Sequence, residues 1–247
     1  ISSNLGNYMQ NNINSMIAGA TPENLNYGHL VVFYSKNSKE AELFEIKQGA
    51  NGVVTRNHIK DYTDQSAVSP DVMMGVIKDV VDLYPSDSYG MVLSSHGTSW
   101  LPTEYKNMLR SFGEENGKKM EINELAKGIP DNLFDYLLFD ACYMGSIECI
   151  YELKNKADYI ISSPTEVLAD GFPYSKIISN LFANIPQLEN VVDAFYNYYQ
   201  NSSSPYATVS LTKTSELENL ANISREIITG SGMETIYSLP LSDMQIL

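Results

Sequence analysis

Basic residues are scarce in this sequence, and their shortage disfavours whole classes of partner. Only 16 Lys and Arg stand against 30 Asp and Glu, which gives a net charge of −14, and the basic residues form no run. Such a chain has nothing to neutralise a row of phosphates, so nucleic acid and anionic membranes are poor partners. No apolar run reaches the ~18 residues that a membrane span needs. An acidic chain attracts cationic ligands, and we expect peptide or protein partners with basic residues.

Cysteine is also rare, and the common cofactor motifs are missing. The only two cysteines, Cys142 and Cys149, stand about two helical turns apart, about 10 Å along a helix axis. A disulfide needs α-carbons within about 7 Å, so two free thiols are predicted. The sequence contains no HExxH, CxxC, Walker or GxGxxG motif, and no run with EF-hand spacing. Metal hydrolysis and nucleotide chemistry therefore have no support, and we predict no metal ligands.

What the chain does have is an alternation of apolar runs with segments of helical period. With 43% apolar residues and no Pro, Gly or Ser linker, residues 1–247 are interpreted as one domain. Strands are predicted at residues 30–35, 42–47, 91–95, 134–141, 158–163 and 207–211. Helices are predicted at 69–83, 121–128, from the Cys142 region to 154, and at 173–182, 188–199 and 215–228. This order predicts an α/β fold with a largely parallel sheet between helices, and the polar stretch 98–119 is interpreted as a long loop.

His96 and Cys142 each directly follow a predicted strand, MVLSS and FDYLLFDA respectively. If those strands are parallel neighbours, both side chains emerge at the end of the sheet where ligands bind. A thiolate can then attack a carbonyl carbon while an imidazolium protonates the leaving amine. We expect a helix starting at Cys142 to lower its pKa, and the N–H of Gly97 to approach a developing oxyanion. Each residue alone also fits a structural role, a core thiol or a His-Gly turn, and the pairing favours catalysis.

Three motifs in this order resemble the clostripain family of cysteine peptidases, relatives of gingipain and caspases. They are SHGTSW at 95–100, FDACYMGSIE at 139–148, and ISSPTE at 161–166 followed by GFPY at 171–174. The resemblance covers most of the chain. It implies a single caspase-like peptidase domain, an αβα sandwich with a mostly parallel central sheet, a His96/Cys142 dyad, and cleavage after Arg or Lys. Relatives often work as monomers. Calcium dependence is known in the family, so a calcium requirement stays open.

The resemblance also places Asp140 and Asp170 in the pocket for the basic side chain. Independently, Asp140 shares a strand face with Cys142, and a carboxylate there suits a guanidinium or an ammonium. The alternative is an Asp that caps the following helix. Asp170 lies in Ala-Asp-Gly, which is equally typical of a turn. Ser163 and Thr165 follow a neighbouring strand, and we expect their backbone to bind an extended substrate as an added strand.

The sequence as a whole predicts a secreted or surface-attached cysteine endopeptidase of bacterial type. The chain begins with Ile1 rather than Met, which we interpret as the product of a removed leader. Self-cleavage is expected between His96 and Cys142, where the chain carries Lys106, Arg110, Lys118 and Lys119. Three alternatives stay open: a related peptidase with Asn or Asp preference, a catalytically inactive caspase-fold surface protein that binds peptides or glycans, and a small-molecule hydrolase with the same Cys/His pair.

Overall fold

A computed structural model describes residues 5–37, 39–98, 111–115 and 117–230 of the chain. Within these ranges the helices are α1 (Gly6–Gly19), α2 (Pro70–Leu83), α3 (Ile122–Gly128), α4 (Ile147–Glu152), α5 (Tyr174–Leu181), α6 (Leu188–Gln200) and α7 (Leu217–Gly230). The strands are β1 (Leu30–Asn37), β2 (Glu40–Gln48), β3 (Val54–Asp61), β4 (Gly90–Ser94), β5 (Phe112–Glu115), β6 (Lys118–Met120), β7 (Phe134–Asp140), β8 (Ala157–Ser162) and β9 (Ser210–Lys213). No helix in the described ranges is long and apolar enough to cross a bilayer.

The central sheet has the strand order β4-β7-β8-β9. Strands β4, β7 and β8 run parallel, and only β9 at the edge is antiparallel. The sequence of β7, FDYLLFD, is almost continuously apolar, and all but one of its residues are buried. A strand covered on both faces needs this composition, whereas a half-exposed strand would alternate. The predicted, mostly parallel central sheet is therefore confirmed.

Helices cover both faces of this sheet. Because successive side chains of a strand point to opposite faces, Leu137 and Phe139 enter one core and Leu138 enters the other. The first core includes Leu125 of α3 together with residues of α2 and α4. The second core includes Phe195 of α6 and residues of α5. These two cores make the predicted αβα sandwich, and Cys149 lies fully buried in the first of them, as a core thiol.

The first two predicted strands do not join the parallel sheet. Strands β1 and β2 pair antiparallel with each other, and β3, which the sequence interpretation missed, adds to β2. Only two residues separate β1 from β2, and so short a connection permits antiparallel pairing alone, because a parallel crossover needs a dozen or more residues. This separate three-stranded sheet packs on α1 through residues such as Phe44, Ile46 and Ile13.

The long loop predicted for 98–119 is wrong in its second half. Strands β5 and β6 form an antiparallel hairpin there, and Phe112 and Met120 are almost completely buried. Strands of three and four residues are too short to show a period of two, so the pattern gave no signal. Residues 99–110, which include Lys106 and Arg110, lie outside the described residues.

Candidate active site

The carboxyl ends of β4 and β7 bring the two predicted reactive segments together. Ser94, the last residue of β4, is the register partner of Asp140, the last residue of β7. The pairing continues beyond the strands, since the Ser95 N–H donates to the Asp140 carbonyl at 3.3 Å. His96 and Cys142 each follow two positions after the paired residues. The two strands are thus parallel neighbours, and both residues lie at the carboxyl end of the sheet.

The hairpin binds the backbone of both neighbours of Gly97 and leaves the N–H of Gly97 directed elsewhere. The hairpin bonds the chain on both sides of it: the Gly113 N–H donates to the His96 carbonyl at 2.9 Å, and the Thr98 N–H donates to the Ser111 carbonyl at 3.0 Å. In this antiparallel pattern the residue between the two bonds directs its own N–H away from the partner strand. The Gly97 N–H therefore points away from the hairpin, toward the side on which β7 and the cysteine lie.

The same glycine lets the histidine and cysteine segments touch. A Cβ added at Gly97 would lie 2.3 Å from the carbonyl oxygen of Cys142 and 3.2 Å from the Cβ of Ala141. No side chain fits at such distances, so only glycine permits this approach. The predicted oxyanion group is thereby in contact with the backbone of the predicted nucleophile.

Cys142 begins a turn and not a helix, which corrects the sequence expectation. Helix α4 starts only at Ile147, and its N-cap is Ser146, whose Oγ accepts from the Cys149 N–H at 3.5 Å. Between them Tyr143 has φ +58°, in the left-handed region that a bulky residue rarely adopts. The dipole of α4 therefore does not act directly on the sulfur, because such effects fade within the first turn.

The main chain of Val167 contacts the Cys142 sulfur through both of its polar groups. The Val167 N–H donates to Sγ at 3.3 Å, and Sγ lies 3.5 Å from the Val167 carbonyl oxygen. Burial raises the pKa of Cys142, the Val167 N–H opposes this, and the carboxylates of Glu166 and Asp140 raise it further. The expected lowering of this pKa is therefore wrong.

The pKa of the His96 imidazole shifts in the opposite direction to that of Cys142. Burial lowers its pKa, and the carboxylate of Glu114 and the ammonium of Lys119 act on it in opposite senses. A thiol with a raised pKa and an imidazole with a lowered pKa both favour their uncharged forms. We therefore expect that, at rest and neutral pH, the proton of Cys142 stays on the sulfur and the His96 ring is neutral.

Asp140 is a buried carboxylate that, among the described residues, makes hydrogen bonds to neutral groups only. Tyr174 Oη donates to its Oδ2 at 2.7 Å, and Ser94 Oγ donates to the same atom at 3.4 Å. The backbone N–H of Phe172 also acts on the carboxylate and lowers its pKa, whereas no cation of the described residues is among the groups that shift this pKa. Burial raises the pKa of Asp140, and these donors oppose the rise. Because Ser146 caps α4, the helix-capping alternative for Asp140 is wrong.

Asp170 lies on an exposed turn next to this carboxylate. The turn is closed by the Gly171 N–H, which donates to the Leu168 carbonyl at 2.9 Å. Gly171 has φ +65°, and a Cβ there would lie 2.5 Å from Oδ2 of Asp140. Asp170 therefore lies in a turn, and the backbone that follows it contacts the Asp140 carboxylate. Its role in the pocket stays a prediction.

Ser163 and Thr165 contact the cysteine turn. The Tyr143 N–H donates to the Thr165 carbonyl at 2.9 Å, and the Gly145 N–H donates to the Ser163 carbonyl at 2.7 Å. Both hydroxyls also hydrogen-bond the hydroxyl of Thr208, whose Oγ1 lies 2.9 Å from Ser163 Oγ and 2.6 Å from Thr165 Oγ1. Both carbonyls thus position the turn that carries Cys142. Contact of Ser163 and Thr165 with substrate stays a prediction.

Sequence reasoning missed Val167, Tyr174 and the hairpin as parts of this site. The GFPY motif was the available signal for Tyr174. It was noted only as part of the family resemblance, and no role was assigned to its tyrosine. No comparable signal marked Val167, whose contribution is its backbone. Among the described residues, no group of three or more His, Cys, Asp or Glu side chains could hold a metal ion.

Sequence comparison assigns this arrangement to a family. Residues 1–235 match the model of the clostripain family. Clostripain of Hathewaya histolytica is 28% identical over 128 residues, which cover 46% of this chain and 24% of clostripain. The chain thus spans about a quarter of the length of that relative.

Two solved structures resemble most of this chain. Iotapain, a secreted C11 cysteine protease from Bacteroides thetaiotaomicron, has a TM-score of 0.82 at 35% identity, over 92% of this chain and 67% of that one. An inactive zymogen C11 protease from Parabacteroides distasonis has a TM-score of 0.83 at 35% identity, over 98% of this chain and 67% of that one. The predicted caspase-like fold is thereby confirmed. The chain belongs to the clostripain family of cysteine peptidases.

Proposed function

We propose that this chain is an endopeptidase that cleaves after Arg or Lys, with Cys142 as nucleophile and His96 as general base and acid. The observation that carries the specificity is the Asp140 carboxylate. It is 6% exposed, lies two residues before the cysteine, and its donors in the described part of the chain are all neutral. A buried carboxylate without a counter-ion gains most from a ligand that brings a cation.

The proposed reaction starts from the neutral pair. His96 accepts the thiol proton as the sulfur attacks the substrate carbonyl carbon, so that an S–C bond forms and the carbonyl π electrons move onto oxygen. The Gly97 N–H donates to this oxyanion. The intermediate collapses by breaking the C–N bond, and the leaving amine takes the proton from the imidazolium. Water, deprotonated by His96, then hydrolyses the acyl-enzyme and restores both residues.

Asp140 and Asp170 are proposed to bind the basic side chain at the substrate position before the scissile bond. The burial of Asp140 favours a full ion pair, and the exposed Asp170 adds a second, more hydrated charge at the pocket mouth. An Asp-specific pocket would place carboxylate against carboxylate, and an Asn-specific one would leave the buried charge unpaired, so both alternatives are disfavoured.

We further propose that the enzyme cuts itself between His96 and Cys142 and acts outside the cytoplasm, as a monomer that needs no cofactor. Relatives support the first two points, since one is described as a zymogen and another as secreted. Lys118 and Lys119 lie in β6, whose backbone already pairs with β5. While that pairing lasts, this segment cannot bind in a cleft as a separate extended strand. Self-cleavage is therefore assigned to Lys106 or Arg110. Added chelator should leave turnover unchanged, and a loss that calcium restores would refute the cofactor point.

A matched series of fluorogenic peptides tests the specificity. The peptides differ only before the scissile bond, where they carry Arg, Lys, norleucine, Asn or Asp. Norleucine has the same four side-chain carbons as lysine but lacks the charged amine. We expect kcat/KM for Arg and Lys to exceed that for norleucine by at least about 100-fold, the worth of a buried charge-assisted contact. Equal rates, or preference for Asn or Asp, would refute the specificity, and binding without turnover would favour the inactive alternative.

A further inference from the structure

The GFPY segment encloses the Asp140 carboxylate. Gly171 approaches it so closely that an added Cβ would lie 2.5 Å from Oδ2 and 2.8 Å from Oδ1. Tyr174 Oη donates to Oδ2 at 2.7 Å, and the Phe172 N–H lowers the pKa of the carboxyl group. Three residues of this segment thus act on one side chain: Gly171 leaves space for it, the Phe172 N–H lowers its pKa, and the Tyr174 hydroxyl donates to it.

We propose that Tyr174 is a positioning residue for basic specificity: its hydroxyl fixes the Asp140 carboxylate in the orientation and charge state that bind the substrate cation. This inference rests on the proposed function and deepens it. Tyr174 itself need not contact substrate. Both side-chain donors, Tyr174 Oη and Ser94 Oγ, reach Oδ2, so neither hydroxyl occupies Oδ1.

Tyr174 is rigid enough to act in this way. It is the first residue of α5, it is 2% exposed, and its ring belongs to the core formed with Phe172 and Phe195. A side chain whose ring is enclosed by packing loses little entropy when it makes a hydrogen bond, so the full strength of the bond acts on the carboxylate. Tyr199 supports the segment from behind, since its Oη donates to the Gly171 carbonyl at 2.8 Å.

Tyr174→Phe removes the hydroxyl and retains the ring. The matched control is Tyr136→Phe, because Tyr136 is also a buried tyrosine of the same core but does not bond Asp140. We measure kcat and KM with the Lys and norleucine peptides from pH 5 to 9. We expect Tyr174→Phe to lose Lys-over-norleucine selectivity by about tenfold, mainly through KM for the Lys peptide, while Tyr136→Phe stays within twofold of wild type.

The pH profile separates positioning from general destabilisation. Tyr174 Oη lowers the pKa of Asp140, so its removal moves the acid limb for the Lys peptide to higher pH. A merely structural tyrosine would lower kcat for both peptides without shifting this limb. In addition, the Asp140→Asn/Tyr174→Phe double variant should be no less selective than Asp140→Asn alone, because both changes act through one carboxylate.

Each outcome decides one claim. If wild type shows no Lys-over-norleucine selectivity, the proposed function fails. If wild type is selective and Tyr174→Phe retains that selectivity, or if Tyr136→Phe loses as much, only the role of Tyr174 is refuted. Should Tyr174→Phe melt below the assay temperature, Ser94→Ala carries the test. It removes the longer donor contact, at 3.4 Å, and must shift the acid limb in the same direction by a smaller amount.

Discussion

Ser94 and Asp140 end two parallel strands in register, with Ser94 Oγ 3.4 Å from Oδ2 of Asp140. His96 and Cys142 follow them along the two chains, and the missing side chain of Gly97 lets those chains touch. The site is therefore built from the ends of β4 and β7, and not from a helix terminus at the cysteine.

Replacing Cys142 or His96 with Ala should lower kcat/KM on the Lys peptide by at least about 10⁴-fold, because both proton transfer and the covalent step are lost. Circular dichroism and melting should resemble wild type. Cys149→Ala is the control: Cys149 is a completely buried core thiol, so its loss should cost about 1 kcal/mol of stability and leave turnover intact. Activity in Cys142→Ala, or its loss in Cys149→Ala, would show that Cys142 is not the nucleophile.

The resting protonation state can be measured from alkylation. Burial raises the pKa of Cys142, so the rate of its reaction with iodoacetamide should increase with pH to a midpoint above the ~8.5 of a free thiol. Mass spectrometry of the modified peptide reports Cys142 separately from Cys149. A plateau that begins near pH 5 would mean a thiolate–imidazolium pair and would contradict the neutral resting state.

Gly97→Ala should abolish most activity without unfolding the chain. The new Cβ would lie 2.3 Å from the Cys142 carbonyl oxygen, so the two segments must separate and the oxyanion donor moves. Loss of one such donor costs about 10² to 10³ in kcat. Gly75→Ala on α2 is the matched control, since a Cβ there meets nothing within 4 Å. It should raise stability by about 0.5 to 1 kcal/mol and retain turnover; equal losses in the two variants would refute the account of Gly97.

Asp140→Asn should separate stability from function. Burial raises the pKa of Asp140, so between its unfolded and folded pKa values the folded chain binds more protons. Stability therefore falls as pH rises through that window, and the loss persists at neutral pH. An amide avoids it, so Asp140→Asn should melt at or above the wild-type temperature at pH 7, match wild type near pH 3, and lose basic selectivity. A lower melting temperature at pH 7 with equality in acid would show a carboxylate that stabilises the fold.

Incubation of the purified chain should give one fragment pair that is absent from Cys142→Ala. Because β6 pairs Lys118 with Glu115 and Lys119 with Glu114, we expect the new carboxyl terminus at Lys106 or Arg110. Intact-mass spectrometry locates it. Cleavage after Lys118 or Lys119 would show that the hairpin opens, and an uncut wild-type chain would refute self-processing.

The sequence predicted what local composition determines. The continuous apolar run of β7 and the periodic α5 and α6 defined the sandwich, and the residues after two strands marked His96 and Cys142. Contacts between distant segments carry no such signal. Tyr174 and Asp140 are 34 positions apart, and their hydrogen bond depends on how α5 docks on the sheet. The left-handed Tyr143 likewise needs the Thr165 carbonyl, which only the folded chain supplies.

The most direct test of the central claim is labelling with a peptidyl acyloxymethyl ketone that carries Lys beside the reactive group, with its norleucine analogue as the control. The adduct is mapped by mass spectrometry in wild type and in His96→Ala. Our account predicts a single adduct on Cys142, formed at least about tenfold faster with Lys than with norleucine and strongly slowed in His96→Ala. An adduct on Cys149, equal rates for the two reagents, or no adduct at all would contradict it.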